Sequence, residues 1–361
     1  MRYLPLWIMP FALVPNFAIG QTSEGVGGVE VAVGEPFTIS SSTGHYNFPT
    51  LHQLSDKELF AAIWASPDDS LSPEHCNVAC VWTHDGGRTW EKPVVFRGPK
   101  TGGHSWIRRK NGTCLWLSYF CRPAGEKDLA KLTCNVGRSS DGRTYSWSTG
   151  TVSLPEPAKP WTKGNAYLMF ARSILELDDG SLLATMYGQL EGDTKYRTIL
   201  VRSTDGGDCW EYCSTVAYRP DAPGEGCCEP VVLRASAGDL FCVMRVNSGL
   251  PMWACRSKDE GRTWTRAEPM PDDAISVFPD AVLMSNGVLA VSCGRPGCHI
   301  VFSNDGSGLR WTPRTTIHKG TNTDAYTAIR EVAPGRLLYV YHEAAGGQNT
   351  IRGVYVDVNR K

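Results

Sequence analysis

A short string built around an aspartate, a glycine and a tryptophan occurs five times in this sequence and restricts the folds open to it. The clearest copy is WTHDGGRTW at residues 82–90, and the shared pattern is Ser/Thr-x-Asp-x-Gly-x-Thr-Trp. The other copies are SSDGRTYSW (139–147), STDGGDCW (203–210), SKDEGRTW (257–264) and SNDGSGLRW (303–311). Repetition of this kind is the signature of an architecture built from one supersecondary unit.

The chemistry of the string predicts a hairpin turn. An aspartate accepts hydrogen bonds from backbone N–H groups two residues on, glycine adopts a positive φ, and the Ser/Thr hydroxyl adds a local bond. The tryptophan then covers the turn with a large apolar face. None of this needs a substrate, so the five aspartates are predicted to be structural: Asp85, Asp141, Asp205, Asp259 and Asp305.

A second repeat lies between these turns, and each copy has an apolar strand, a polar or glycine-containing turn and another apolar strand. The six copies are FPTLHQLSDKELFAAIWAS (48–66), HSWIRRKNGTCLWLSYFCR (104–122), ARSILELDDGSLLATMYGQ (171–189), EPVVLRASAGDLFCVMRVN (229–247), FPDAVLMSNGVLAVSCGRP (278–296) and AYTAIREVAPGRLLYVYHE (325–343). Successive turn aspartates are 46 (Asp259 to Asp305) to 64 (Asp141 to Asp205) residues apart, the size of a four-stranded propeller blade.

The sixth segment has no aspartate turn and is followed by a third strand, TIRGVYVDV (350–358). The missing outer strand can come from GVEVAVGEPFTIS (28–40), and a blade made from both ends of the chain leaves no free sheet edge. We therefore predict an all-β, six-bladed β-propeller, closed by the N-terminal strand in the last blade and forming a single domain over residues 21–361.

The first 20 residues are typical of a secretory signal peptide. Arg2 precedes an apolar run, and Ala18-Ile19-Gly20 resembles a cleavage site before Gln21. The alternative is an N-terminal membrane anchor, which three prolines and a short apolar run disfavour. We expect a secreted or periplasmic monomer with no membrane span after the signal is removed. A formal net charge of −1 gives no basic excess for binding nucleic acid.

The chain has 13 cysteines, all after the predicted signal, and an oxidising compartment would permit disulfides. The close pairs are Cys76/Cys80, Cys209/Cys213, Cys227/Cys228 and Cys293/Cys298. No CxxC pair has matching Cys or His spacing, so neither a structural zinc nor another metal or cofactor is expected.

In a propeller the functional site lies at the mouth of the axial channel, where innermost strands start and the strands after them end. The starting positions carry Asn47, His104, Arg172, Glu229, Asp280 and Tyr326. The end positions carry Ser66, Arg122, Gln189, Arg245, Arg295 and Glu343. This is a charged ring at the tips of apolar strands.

With these features the sequence resembles the sialidase superfamily, whose "Asp box" is similar to the repeated string. Asp boxes indicate a fold only, so function has to be argued from the site. The stretch EPVVLRASAGDLFCVMR is similar to the family's segment from its catalytic glutamate to an arginine that binds the substrate carboxylate, which implies those roles for Glu229 and Arg245. CGRPGCHIVFSNDG implies a second such arginine at Arg295. DAYTAIREVAPGRLLYVYHE implies Tyr326 as nucleophile and Glu343 as the carboxylate that orients an arginine.

Two departures from the family pattern affect the predicted site. The family's first carboxylate-binding arginine stands in an Arg-Ile-Pro motif, and the matching residues here are Asn47-Phe48-Pro49. Asparagine supplies neither the charge nor the fork of a guanidinium; Arg172 is a possible substitute that the alignment does not support.

The acid/base position is the second departure. The family's acid/base aspartate lies in the loop after the first blade's second strand, here SPDDSLSPEHC (66–76). That loop contains Asp68, Asp69, Glu74 and His75, and the choice between Asp69 and Glu74 stays open.

The resemblance implies an exo-acting, retaining glycoside hydrolase that removes a terminal sialic acid or similar acidic sugar. A neutral tyrosine, deprotonated by a glutamate, suits attack beside a carboxylate, which two arginines would clamp. One alternative is a propeller glycosidase or lyase acting on another sugar such as a uronic acid, because Asn47 replaces an arginine. The other is a non-catalytic carbohydrate-binding propeller. His45, His104 and His342 leave a metal or histidine-based lyase site as a minor possibility.

Overall fold

The computed structural model describes residues 22–23, 28–66, 77–96, 102–125, 128–161, 166–271, 273–275 and 277–361. The regular secondary structure within these ranges consists of β-strands alone, which confirms the predicted all-β class. Among the residues so described there is also no helix long and apolar enough to cross a membrane. The predicted signal peptide, residues 1–20, lies outside the described ranges.

The strands follow one another along the chain in runs of three to five. At the N-terminus are β1 (Thr22–Ser23), β2 (Val29–Val33) and β3 (Phe37–Ser42). The first run is β4 (His45–Gln53), β5 (Leu59–Ser66), β6 (Asn77–Thr83) and β7 (Val94–Phe96). The second is β8 (Ser105–Arg108), β9 (Cys114–Leu117), β10 (Arg122–Pro123), β11 (Lys131–Ser139) and β12 (Ser146–Ser153). The third is β13 (Leu168–Glu176), β14 (Leu182–Gly188), β15 (Arg197–Ser203) and β16 (Cys209–Tyr218).

The remaining strands continue this pattern to the C-terminus. The fourth run is β17 (Cys228–Arg234), β18 (Leu240–Arg245), β19 (Trp253–Ser257) and β20 (Glu268–Pro269). The fifth is β21 (Ala281–Leu283), β22 (Leu289–Gly294), β23 (Cys298–Ser303) and β24 (Thr315–His318). The last is β25 (Thr327–Ala333), β26 (Arg336–Ala345) and β27 (Gln348–Arg360).

Each run forms an antiparallel sheet in chain order, except that in the second run β9 pairs with β11 and β10 is an additional short strand beside β11. Runs two and three are joined into one nine-stranded sheet, because β12 pairs in parallel with β16, Thr151–Ser153 lying beside Cys209–Glu211. The first strands of the runs contact one another in a cycle: β4 with β8, β8 with β13, β13 with β17, β17 with β21, β21 with β25, and β25 with β4.

The N-terminal segment pairs with the last strand of the chain, as the sequence predicts. Strand β2 pairs with the far end of β27, and β3 pairs with the start of β27 between Phe37–Ser42 and Asn349–Gly353. Both ends of the described chain therefore share one sheet with β25 and β26.

The repeated aspartate string forms the turn after the third strand of a run. In all five copies a carboxylate oxygen accepts the Ser/Thr hydroxyl two residues before it, at 2.7–3.0 Å. That hydroxyl in turn accepts the N–H of a glycine. Asp85 also accepts the N–H groups of Arg88 and Thr89, three and four residues on rather than two. The predicted structural role of these aspartates is supported.

The hydrophobic cores lie between neighbouring sheets. One core, for example, packs Leu183 and Leu200 of the third run against Leu240 and Met244 of the fourth. All twelve cysteines within the described ranges are free thiols, and most are buried in these cores. Three of the close pairs therefore form no disulfide here, and Cys76 of the fourth pair lies outside the described residues.

Three of the first strands share an irregular start. The register shifts between Asn47 and Thr50, between Phe170 and Ile174, and between Cys228 and Val231. Within each shift one non-glycine residue has a positive φ: Phe48 (55°), Ser173 (84°) and Glu229 (47°). A bulge of this kind re-aims a side chain, at a conformational cost of about 1–2 kcal/mol per residue.

Candidate active site

Glu229 and Tyr326 belong to strands that are distant in sequence, and the fold brings their side chains into contact. Glu229 lies in the bulge at the start of β17 and is 6% exposed. Tyr326 immediately precedes β25. Its hydroxyl donates a 2.7 Å hydrogen bond to Oε1 of Glu229. The tyrosine and the carboxylate that the resemblance pairs are therefore hydrogen-bonded.

Arg245 completes this pair from the end of β18. Its Nη1 donates to Oε2 of Glu229 at 3.1 Å and lies 3.3 Å from the hydroxyl of Tyr326. Burial opposes the charge of Arg245, but Glu229 and Tyr326 together raise its pKa above the ordinary arginine value. Burial and the charge of Glu229 also raise the pKa of Tyr326 well above its usual range. The phenol is therefore protonated at neutral pH, and its proton points at a carboxylate.

Arg295 stands on the other side of the tyrosine ring. Its guanidinium carbon lies 5.1 Å from the ring centre of Tyr326, within reach of a cation–π contact. It donates to the Ser248 hydroxyl at 3.1 Å and to the backbone carbonyl of Asp324 at 2.6 Å. Ser248 also accepts from Nη2 of Arg245 at 3.5 Å, so one hydroxyl bridges the two arginines.

A second carboxylate, Glu225, lies on the outer side of Arg245. Its Oε1 accepts from Nη2 of Arg245 at 3.3 Å, and its side chain is 46% exposed. Arg245 is therefore held between Glu229 inside and Glu225 outside. Neither Glu225 nor Ser248 stands out in the sequence, because both lie in loops without a repeat.

Asp324 fixes the backbone around the tyrosine. Its two oxygens accept the N–H groups of Tyr326 (2.9 Å) and Phe48 (3.1 Å), and His342 lies 3.6 Å away. Burial raises the pKa of Asp324, although His342 and the two backbone donors oppose this. The ring of Phe48 packs edge-on against Tyr326, with 4.7 Å between ring centres. Asp324 and Phe48 are positioning residues that the sequence patterns did not reveal.

Aromatic side chains surround this cluster. Phe278 lies 6.1 Å from Tyr326, and Trp64 lies 5.8 Å from Phe48, measured between ring centres. The aromatic cluster continues through Tyr119, Phe120, Trp161, Tyr187 and Tyr196. Such faces stack against the apolar sides of sugar rings, and they were not singled out from the sequence.

The structure places Arg172 apart from the two other candidate arginines. It is 3% exposed, lies over the ring of Phe278, and forms an ion pair with Asp280 at 3.2 Å. Its one hydrogen bond to the described part of the chain is a long one, 3.5 Å, to the carbonyl oxygen of Pro49. The positive charge of Arg172 is therefore paired with a buried carboxylate, and Arg172 has no described contact with Arg245 or Arg295.

Two further candidates have local partners. Asn47 accepts the N–H of Tyr46 at 3.1 Å, which leaves its neighbour Phe48 facing the tyrosine. Glu343 does orient an arginine, but this is Arg352 of the adjacent strand, at 2.7 Å. Arg352 in turn donates to Thr38 of the N-terminal strand. Neither residue has a described contact with Glu229, Arg245 or Tyr326.

The two acid/base candidates, Asp69 and Glu74, lie outside the described residues, as do Asp68 and His75. Of the three histidines noted in the sequence, His104 is buried against Phe278 and His342 bonds to Asn349. His45 stacks on Phe48. In the described portion of the chain no group of three or more His, Cys, Asp or Glu side chains could hold a metal ion.

A phenol, a carboxylate and two guanidinium groups thus converge on one point. The phenol oxygen can attack an electrophilic carbon while Glu229 accepts its proton, and the two guanidiniums can hold an anionic group beside it. Such a set suits substitution at an acetal or ketal carbon rather than redox chemistry.

A comparison with protein-family models identifies the family of the chain. The model of the BNR repeat-like domain matches residues 100–338, and the chain belongs to this family, within the sialidase superfamily. No curated protein matches the sequence.

Solved structures share the fold at low identity. A protein of unknown function from Dyadobacter fermentans is 21% identical, covering 92% of this chain and 100% of its own, with a TM-score of 0.72. The Hadza microbial sialidase Hz136 is 18% identical, covering 92% and 69%, with a TM-score of 0.68. The NanB sialidase of Streptococcus pneumoniae (K499G mutant) is 14% identical, covering 90% and 70%, with a TM-score of 0.63.

Proposed function

We propose that this protein is an exo-acting, retaining glycoside hydrolase in which Tyr326 is the nucleophile and Glu229 its base. The observation that carries the proposal is the 2.7 Å hydrogen bond from the Tyr326 hydroxyl to Glu229, with Arg245 contacting both. A structural tyrosine could donate to any backbone carbonyl. A buried carboxylate costs free energy, and its use as the acceptor favours a catalytic role.

The proposed reaction has two steps. The Tyr326 oxygen forms a bond to the anomeric carbon as the glycosidic bond breaks, and the phenol proton passes to Glu229. An acid, Asp69 or Glu74 in the loop 67–76, protonates the departing oxygen. Water then attacks the anomeric carbon, with the same acidic residue now acting as base, and the glycosyl–tyrosine bond breaks. The phenol oxygen recovers its proton from Glu229. Arg245 stabilises the negative charge that the tyrosine and glutamate share at each step.

The substrate that we propose first is a glycan with a terminal sialic acid or similar acidic sugar. Arg245 and Arg295 flank Tyr326, and Ser248 bridges them, so a carboxylate at the anomeric carbon could be held by both. The Hadza and Streptococcus pneumoniae neighbours carry the name sialidase, which supports this choice only at the level of fold. No metal or cofactor enters this mechanism.

A different sugar is the second candidate, and one observation favours it. Glu225 already occupies the outer face of Arg245, and Asn47 supplies no third cation. Arg245 therefore already faces two carboxylates, Glu229 and Glu225, before any substrate arrives. A uronic acid would suit such a site, because its carboxylate lies further from the anomeric carbon. A neutral sugar that stacks on the aromatic side chains of the site would suit it as well.

The architecture and the location of the protein are part of the proposal. The cycle of contacts between first strands, and the sharing of one sheet by both ends of the chain, support a six-bladed β-propeller over residues 21–361. We propose that residues 1–20 direct export and that the mature protein is a monomer. N-terminal sequencing of protein secreted by an expression host should give Gln21 as the first residue; retention of Met1 would contradict export.

Hydrolysis of fluorogenic glycosides tests the activity. The purified protein should be assayed on an α-sialoside, a uronide panel and neutral glycosides. Tyr326→Phe and Glu229→Gln should each reduce kcat/KM at least about 10³-fold on the sugar that is turned over, an order of magnitude expected for loss of a nucleophile or its base. Tyr355→Phe is the matched control, because the Tyr355 hydroxyl donates to the Gly86 carbonyl outside the site.

A fluorinated glycoside that traps retaining enzymes gives a second readout. Peptide mass spectrometry should find the sugar on the peptide containing Tyr326. Turnover that survives Tyr326→Phe would overturn the assignment of the nucleophile. Binding of glycans without hydrolysis of any substrate would identify a carbohydrate-binding propeller instead.

A further inference from the structure

A cavity of about 200 Å³ lies between the first strands, and two of its lining residues, His104 and Arg172, contact the ring of Phe278. All six first strands, or the residues just before them, contribute to its wall. The residues that matter here are His52, His104, Arg172, Asp280 and Arg330. The mechanism proposed above uses none of them.

The charged groups of this cavity do not balance. Asp280 is the one carboxylate that the described residues contribute to its wall, and two guanidiniums face that carboxylate: Arg330 at 2.8 Å and Arg172 at 3.2 Å. Asp280 also accepts the N–H groups of Ala281 and Ile329, so its acceptor capacity is largely used. One positive charge is left over among these lining residues, and Arg172 is buried, whereas the Arg330 side chain is 25% exposed.

Burial and the nearby arginines lower the pKa of the two neighbouring histidines. Burial, followed by the charges of nearby groups that include Arg172, lowers the pKa of His104 well below the ordinary value. The pKa of His52 is lowered to about 3 by burial and by Arg330. Both imidazoles are therefore neutral at physiological pH and do not add to the excess, but neither do they offset it.

Arg172 also has hydrogen-bond donors that nothing in the described chain satisfies. It is 3% exposed, and neither its Nε nor its Nη1 has a hydrogen-bond acceptor among the described residues. Nδ1 of His104 is likewise without a described partner. A buried donor without an acceptor costs about 1–3 kcal/mol, and more when the group is charged.

We propose that this axial cavity binds one small monovalent inorganic anion, such as chloride, next to Arg172. An anion supplies both features that the cavity lacks, a negative charge and an acceptor for Nε. The volume of about 200 Å³ is that of about seven water molecules, enough for a halide ion with a few waters. Water alone would satisfy the donors but would leave Arg172 and Arg330 sharing the single negative charge of Asp280.

Bromide, which substitutes for chloride and scatters anomalously, locates the ion directly. Crystals of the full chain soaked in sodium bromide should show an anomalous peak within hydrogen-bonding distance of Arg172 Nε. Peaks confined to the outer surface, or a cavity with water density only, would overturn the proposal. This measurement uses the unmodified protein and is independent of the proposed hydrolase activity.

Thermal unfolding gives the matching test in solution. At constant ionic strength, replacing gluconate with chloride from about 1 to 100 mM should raise Tm by about 3–6 °C, because the ion binds only the folded state. Arg172→Met should abolish that rise, and Arg310→Met, which removes an arginine that is 91% exposed, should keep it. Equal Tm values in chloride and gluconate for the wild-type protein would contradict the proposal.

Discussion

The exposed carboxylate of Glu225 should weaken the binding of anionic sugars, and Glu225→Gln measures by how much. Glu225 lies 3.3 Å from Nη2 of Arg245, the donor that a substrate carboxylate would otherwise use. Glutamine keeps the size of the side chain and an oxygen that can accept from Arg245, and removes only the charge. The change therefore tests electrostatics without emptying the space.

The magnitude follows from the geometry. A substrate carboxylate held by Arg245 would lie roughly 5 Å from the Glu225 carboxylate. Two like charges at that separation repel by about 0.8 kcal/mol in water and about 3 kcal/mol at an effective dielectric of 20. Because 46% of the Glu225 side chain is exposed, we take the repulsion energy to be close to its value in water, about 1 kcal/mol. Glu225→Gln should then strengthen binding of an anionic sugar about fivefold.

Competitive inhibition is a suitable assay, since free sugars can be compared whichever glycoside the enzyme hydrolyses best. The Ki of free sialic acid and of a free uronic acid should fall about fivefold in Glu225→Gln, and the Ki of a neutral sugar should stay within about twofold. The gain should shrink as salt rises from about 20 to 500 mM, because the Debye length falls from about 20 Å to about 4 Å.

Glu260→Gln is the matched control. Glu260 also pairs with an arginine, at 2.7 Å, and its side chain is 43% exposed, but it lies outside the site. The Ki values should not change in this variant. The reasoning is refuted if Glu225→Gln leaves the Ki of the acids unchanged, or lowers the Ki of acidic and neutral sugars equally.

Two further predictions concern the aspartate turns. Gly306→Ala should lower the free energy of unfolding by about 2–4 kcal/mol in urea, because φ is 66° and a methyl group there would lie 2.5 Å from the Gly287 carbonyl oxygen. Gly238→Ala, with a φ of 88° and open space around it, should cost only about 1 kcal/mol; equal losses would refute the steric argument. The hydrogen bonds led by the Thr263 hydroxyl lower the pKa of Asp259 to about 2, so its stabilising contribution is complete above about pH 4 and is lost as pH falls towards 2. Asp259→Asn should therefore be less stable than wild type at pH 6 and nearly equal to it at pH 2, and a constant difference would contradict this.

The sequence predicts the strands and turns well because both are determined locally. The aspartate turn needs a few residues at fixed spacing, and the apolar strand pairs repeat around it. The pairing of the N-terminal segment with β27 was also predictable, since a sheet edge needs a partner. The residue types in the repeated aspartate string, and their spacing, were sufficient to predict the turns and the strands between them.

The site was predictable only in part, because its contacts join loops of different runs. Resemblance supplied Glu229, Arg245 and Tyr326, which do meet. It could not supply Asp324 or Glu225, whose roles follow from neighbours that only the folded chain provides. The sequence did not identify the arginine partner of Glu343 for the same reason. Arg352 lies on the adjacent strand, and cross-strand proximity decided the pairing.

The irregular starts of β4, β13 and β17 have a consequence for redesign of the protein. Phe48, Ser173 and Glu229 occupy similar positive-φ positions, although one is aromatic, one a small alcohol and one an acid. Each side chain leaves the strand where the ladder of hydrogen bonds is already interrupted, so exchanging it disturbs few backbone bonds. Glu229 serves the proposed reaction, so Phe48 and Ser173 are the positions at which a new side chain could be introduced, while the sheets behind them keep their sequence.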